Sequence, residues 1–122
     1  MFGVPEMDSR GLAKILAEAP ESIHLVDVRT PQETAQGIIQ GAEVVPLHLV
    51  PLKADDWAED GRPMVIYCRT GARSAQACAF LAARGGDRQY FNLHGGIMDW
   101  ARQGLQVVTP AADKVTFQAR PE

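Results

Sequence analysis

Apolar positions recur along this chain in two rhythms, and the alternation between them divides it into helices and strands. Behind Asp8-Ser9, the residues Leu12, Ile15, Leu16 and Ala19 fall at helical spacing as far as Pro20, which predicts a first helix over residues 10–18. Ile23-His24-Leu25-Val26-Asp27-Val28 is short, β-branched and largely apolar, the pattern of an inner parallel strand. Thr30-Pro31-Gln32-Glu33 places a capping residue, then proline at the first helical position and an acid at the third, so a second helix is expected to run to about Gly37. Residues 43–46 read as a brief strand, 49–57 as a short helix, 60–63 as a turn and 64–67 as the central strand. Residues 74–84, rich in alanine and leucine, predict a closely packed helix that Gly85-Gly86 stops. Residues 88–92 return as a strand, and after the His94-Gly95-Gly96 turn come a helix over 97–103 and a last extended piece over 105–108. Strands and helices alternating at this spacing imply an α/β fold: a mostly parallel sheet with helices on both faces and catalytic residues at the carboxyl ends of strands.

Composition narrows the reading without redirecting it. With 122 residues, 46% hydrophobic and 22% charged, the chain can bury one proper core and is too short for two domains. A net charge of −3 offers no basic surface to nucleic acid, and Arg69, Arg73 and Arg84 are only local exceptions. No stretch is long and apolar enough to span a bilayer and the start lacks a secretory pattern, so a cytoplasmic protein with no membrane partner is expected. The two cysteines, Cys68 and Cys78, end a strand and sit inside the following helix, which is no disulfide framework, so both should be reduced. His24, His48 and His94 show no ligand spacing with either cysteine, and no metal is assigned.

The chemistry concentrates in Cys68-Arg69-Thr70-Gly71-Ala72-Arg73, which joins the central strand to the next helix. A thiol there faces backbone N–H groups and a helix amino terminus, with two arginines alongside, and each favours the thiolate that attacks sulfur, phosphorus or arsenic centres. Four residues separate Cys68 from Arg73, one fewer than in the Cys-x5-Arg loop of cysteine-dependent phosphatases. The tighter ring suits one persulfide sulfur better than a whole phosphoryl group, which favours sulfur transfer. Cys78, mid-helix among alanines, reads as a packing residue.

With these residues in view, the chain resembles the single-domain rhodaneses. The resemblance rests on Leu25-Val26-Asp27-Val28-Arg29 with Glu33, Gly41-Ala42 leading to Val45-Pro46, the Cys68 to Ser74 loop, and Asn92-Leu93-His94-Gly95-Gly96 with Trp100. It departs from the family's usual pattern at Thr34, at Ile38-Ile39-Gln40 and at Gln106. It implies a three-layer fold on a five-stranded, mostly parallel sheet, a rhodanese-like domain over residues 1–108, and a tail over 109–122 of unassigned role. It also implies a thiosulfate sulfurtransferase in which Cys68 carries a sulfane sulfur from thiosulfate or another persulfide to a thiol or to cyanide, without a cofactor. The amides of Arg69, Thr70, Gly71, Ala72 and Arg73 would form the cradle, with Asp27, Arg29 and Ser74 in support. Arg73 either contacts the anionic end of the donor, the favoured reading, or merely caps and neutralises the site, while Arg69 points either into the pocket mouth or to solvent. Asp27, Arg29 and Glu33 read as scaffolding, with an ion pair expected from Arg29 to Glu33 four residues on. The alternative is a sulfur-relay module that exchanges persulfide sulfur with partner proteins such as sulfur carriers. A phosphatase or arsenate reductase is disfavoured by the short loop.

Overall fold

The computed structural model describes residues 3–110. Five parallel strands form one sheet in the order β1-β5-β4-β2-β3, where β1 is Glu6–Met7, β2 His24–Asp27, β3 Glu43–Val44, β4 Met64–Tyr67 and β5 Tyr90–Leu93. Between them run α1 (Ser9–Glu18), α2 (Pro31–Thr34), α3 (Val50–Lys53) and α4 (Ala72–Ala83), and α5 (Gly96–Arg102) follows the last strand.

Strand β4 is the axis of the molecule, with all four side chains at 0% exposure. Its alternate residues feed two separate cores, as the period of a strand dictates. Met64 and Ile66 join Val26, Val50, Trp57 and Leu81 beneath α3 and α4. Val65 and Tyr67 join Leu12, Leu25, Ile97 and Trp100 beneath α1 and α5. The helices thus cover both faces, and parallel strands bring the carboxyl ends of β2, β4 and β5 to one rim.

Local chemistry accounts for the element ends. Asp8 caps α1 by accepting from the Gly11 amide at 2.7 Å, and Thr30 with Glu33 forms the expected capping box on α2. That helix stops at Thr34 instead of running to Gly37, because the chain turns through Gln36 and a positive-φ Gly37. The segment expected as one helix over 49–57 is a 3₁₀ turn, Leu47–Leu49, followed by α3 and further turns.

Two edge features differ from the sequence reading. The strand Glu6–Met7 passes unnoticed in the sequence, yet it adds to the sheet beside Asn92 and Leu93. The extended piece over 105–108 contributes only an isolated antiparallel bridge, Ile38 with Val108. Residues 111–122, most of the expected tail, lie outside the described residues.

Candidate active site

The loop after β4 is short because α4 begins at Ala72, two residues earlier than its composition suggests, with Gly71 at φ +121° as its N-cap. Arg73 and Ser74 therefore belong to the first helical turn. The Gly71 amide donates to Cys68 Sγ at 3.1 Å, and Ser74 Oγ lies 3.3 Å from the same sulfur. Burial opposes the Cys68 thiolate most strongly, but hydrogen bonds from the Ser74 hydroxyl and amide and from the Gly71 and Thr70 amides together outweigh it, so the thiol is held below its ordinary range.

The loop is also held from behind. The Cys68 and Arg69 carbonyls accept from the Ile97 and Met98 amides at the start of α5, at 3.0 and 3.1 Å. Gly96 permits this approach: a Cβ there would press into both carbonyls. With those carbonyls directed at α5, the loop amides remain free to face the sulfur.

The supporting residues divide into two groups. Asp27 and Arg29, both buried at the end of β2, pair through Arg29 Nη2 and Asp27 Oδ2 at 2.8 Å, and the same guanidinium donates to the Gly37 carbonyl at 2.6 Å. Asp27 also accepts from the Arg29 amide at 2.9 Å. The pair ties β2 to the turn after α2 and stacks near the Tyr67 ring. The Arg29–Glu33 ion pair expected from spacing does not form. Arg29 precedes the N-cap Thr30, so helical geometry does not bring the two side chains together.

Glu33 instead takes Arg73, with Nη1 to Oε1 at 2.7 Å and Nη2 to Oε2 at 2.9 Å. Arg73 holds the Glu33 carboxyl down at about 2, helped by the hydrogen bonds from Thr30. Arg69 and Thr70 are exposed, and among the described residues the Arg69 guanidinium makes no hydrogen bond or ion pair. Arg69 opens onto a hollow of about 340 Å³ shared with Arg29, Met98 and Val107. A second hollow, of about 670 Å³, lies across the loop between Glu6, Gly71, Ala75 and His94.

Cys78 and both tryptophans are buried core residues. His94 is largely exposed and faces Glu6, with Nδ1 and Oε1 2.9 Å apart. Asn92, which opens the Asn92-Leu93-His94-Gly95-Gly96 motif, lies buried beside Ser74 and Gly71. Its sequence signal is a polar side chain at the end of an otherwise apolar and aromatic strand.

Comparison with known proteins agrees with this architecture. The rhodanese-like domain family matches residues 11–103. This chain belongs to that family. A sulfurtransferase of Allochromatium vinosum is 50% identical over 107 residues, spanning 88% of this chain and 97% of that protein. The putative sulfurtransferase YtwF of Bacillus subtilis is 35% identical over 83 residues, 68% of this chain and 78% of that one. The crystal structure of a rhodanese-like domain protein from Staphylococcus aureus, 29% identical, superposes with a TM-score of 0.74 over 87% of this chain and 100% of its own. The protein is therefore a rhodanese domain of the sulfurtransferase class.

Proposed function

We propose that this rhodanese moves a sulfane sulfur from thiosulfate or another persulfide donor to a thiol or cyanide, in two half-reactions through a persulfide on Cys68. The observation that carries this reading is the convergence of the Gly71 amide and Ser74 hydroxyl on Cys68 Sγ at the end of β4. In the first half-reaction the Cys68 thiolate attacks the outer sulfur of thiosulfate, a new S–S bond forms, the old one breaks, and sulfite leaves with the electron pair. The terminal sulfur of the persulfide carries the negative charge within a ring of N–H donors oriented before reaction. In the second, an acceptor thiolate or cyanide attacks that terminal sulfur and Cys68 departs as thiolate. The cysteine carries the transferred atom, so the amides of residues 69–73 need supply only electrostatics and position. We take residues 1–108 as the acting domain and the cytoplasm, where thiols stay reduced, as its place. Among the described residues no helix is long and apolar enough to cross a membrane.

The anionic end of the donor belongs at Arg69. The sequence favours Arg73 for that task, but the Arg73 guanidinium is bound by both oxygens of Glu33, whereas Arg69 is exposed beside a hollow. Arg69→Ala should raise the KM for thiosulfate roughly tenfold while sparing loading from an uncharged persulfide, consistent with loss of one charge-assisted contact. The same observation favours a second reading, a relay fed by partner proteins, because a single guanidinium grips a dianion weakly.

Intact mass after incubation with thiosulfate tests both. A gain of one sulfur atom on the wild type, absent from Cys68→Ser and discharged by cyanide, is the expected result. Loading from a protein persulfide alone would favour the relay. Failure with both donors would overturn the persulfide reading.

A further inference from the structure

Ser74 has one hydroxyl proton and three acceptors within reach: Cys68 Sγ at 3.3 Å, the Gly71 carbonyl at 3.3 Å, and Asn92 Oδ1, the nearest of the three. The orientation of the Asn92 amide is not free. Its Nδ2 donates to the Gly71 carbonyl at 3.1 Å and to Glu6 Oε2 at 3.3 Å, and turning the amide over would set its oxygen against two acceptors. Oδ1 is therefore the atom that faces Ser74, and it can only accept. Ser74 and Asn92 are 0% and 3% exposed, so each depends chiefly on protein partners for its hydrogen bonds.

While Cys68 is a thiol, one pattern satisfies every group, because the Gly71 carbonyl already accepts from Asn92 Nδ2 and from the Ala75 amide, each at 3.1 Å. Ser74 gives its proton to Asn92 and offers a lone pair to the Cys68 S–H. When the sulfur becomes negative, the hydroxyl can stabilise it only by rotating toward it, which leaves buried Asn92 Oδ1 without a donor. We propose that Asn92 is a positioning residue for the nucleophile, holding the Ser74 hydroxyl on itself and so limiting how far that hydroxyl stabilises the free thiolate. The hydroxyl rotates and no proton changes its heavy atom. Forming the persulfide moves the charge one atom outward and lets the hydroxyl return to Asn92. The contact thus favours the sulfur-loaded protein over the free thiolate. This rests on Cys68 being the sulfur carrier and assigns a task to the residue behind it.

The charged groups around the site are Glu6 from β1, His94 after β5, Arg69 and Arg73 on the loop and α4, Glu33 on Arg73, and Asp27 with Arg29 at the end of β2. A double-mutant cycle removes their common background. The pH midpoint of Cys68 alkylation by iodoacetamide, with the label assigned by peptide mass, is measured for wild type, Ser74→Ala, Asn92→Leu and the double variant. Ser74→Ala should raise the midpoint when Asn92 is present, and by roughly one unit more when Asn92 is leucine, because the hydroxyl is then released from Asn92 to serve the sulfur. Equal shifts in the two backgrounds, or a larger one beside Asn92, would overturn the proposal; a merely structural effect on the loop cancels in the cycle. The midpoint is a property of the thiol and not of turnover, so a protein that carried no sulfur would still give the same answer. If a leucine variant does not fold, the Asn92 side-chain carbonyl ¹³C resonance of the wild type decides. It should move at the Cys68 midpoint and show no such inflection in Cys68→Ala, where any remaining movement belongs to Glu6 and His94. Identical traces in the two proteins would refute the idea.

Discussion

Cys68 and Cys78 lie in the same apolar cluster, each 1% exposed, yet their thiols are driven in opposite directions. Burial pushes Cys78 up to about 12, and nothing opposes it. The same burial acts on Cys68, but there the hydroxyl and amide donors of Ser74, Gly71 and Thr70 overcome it. The difference lies in where each residue meets the backbone. Mid-helix, Cys78 is surrounded by amides already engaged along α4, whereas Cys68 stands before that helix, where the first amides have no internal partner. Exposure therefore does not identify the reactive thiol in this molecule; the supply of unengaged donors does.

The largest effect expected from this contrast is in reactivity. At neutral pH, iodoacetamide should label Cys68 faster than Cys78 by on the order of a thousand-fold, as followed by peptide mass. Comparable rates would break the contrast.

Gly96→Ala should have the next largest effect, because the added Cβ drives the Cys68 and Arg69 carbonyls off α5 and turns the loop amides away from the sulfur. Persulfide loading should slow roughly 10- to 100-fold, the penalty of displacing a reacting group by about an ångström. Stability should fall by about 2 kcal/mol on account of the strained positive φ. Cys78→Ala, which touches no loop amide, should load at the wild-type rate.

The smallest effect concerns the partner of Arg73. Glu33 has a folded-state pKa of about 2 against an ordinary 4.5, so its contribution is complete above about 4.5 and is lost as the pH falls toward 2. The pair is partly exposed and should contribute only about 0.5–1 kcal/mol. Melting curves should show Glu33→Gln below wild type by a constant margin from neutral pH to about 5, closing as the pH approaches 2. A margin that widens in acid would contradict the assignment of Arg73 to Glu33.

How much of this was legible in the sequence follows from the range of each interaction. Strand β4, the loop and α4 are contiguous, so periodicity and the Cys-to-Arg spacing give their order, and the alternating pattern gives the sheet class. The rest depends on contacts between distant segments. The strand Glu6–Met7 carries no pattern of its own, because two residues pairing through backbone leave no periodic trace. Arg29 and Glu33 have the right separation, but the helix that would make it meaningful begins after Arg29. Arg73 finds Glu33 across 40 residues, and Asn92 reaches Ser74 across 18, distances over which charge and polarity alone select no partner.

The position of β4 has one more consequence. Its backbone is paired on both sides and its side chains anchor both cores, so its amides belong to the part of the molecule that opens last, and hydrogen exchange there should require global unfolding. Cys68 is attached directly to that segment. Under rising denaturant, the enhanced nucleophilicity of the thiol should persist while edges such as β1 and β3 fray, then vanish in the same cooperative step as the fold itself.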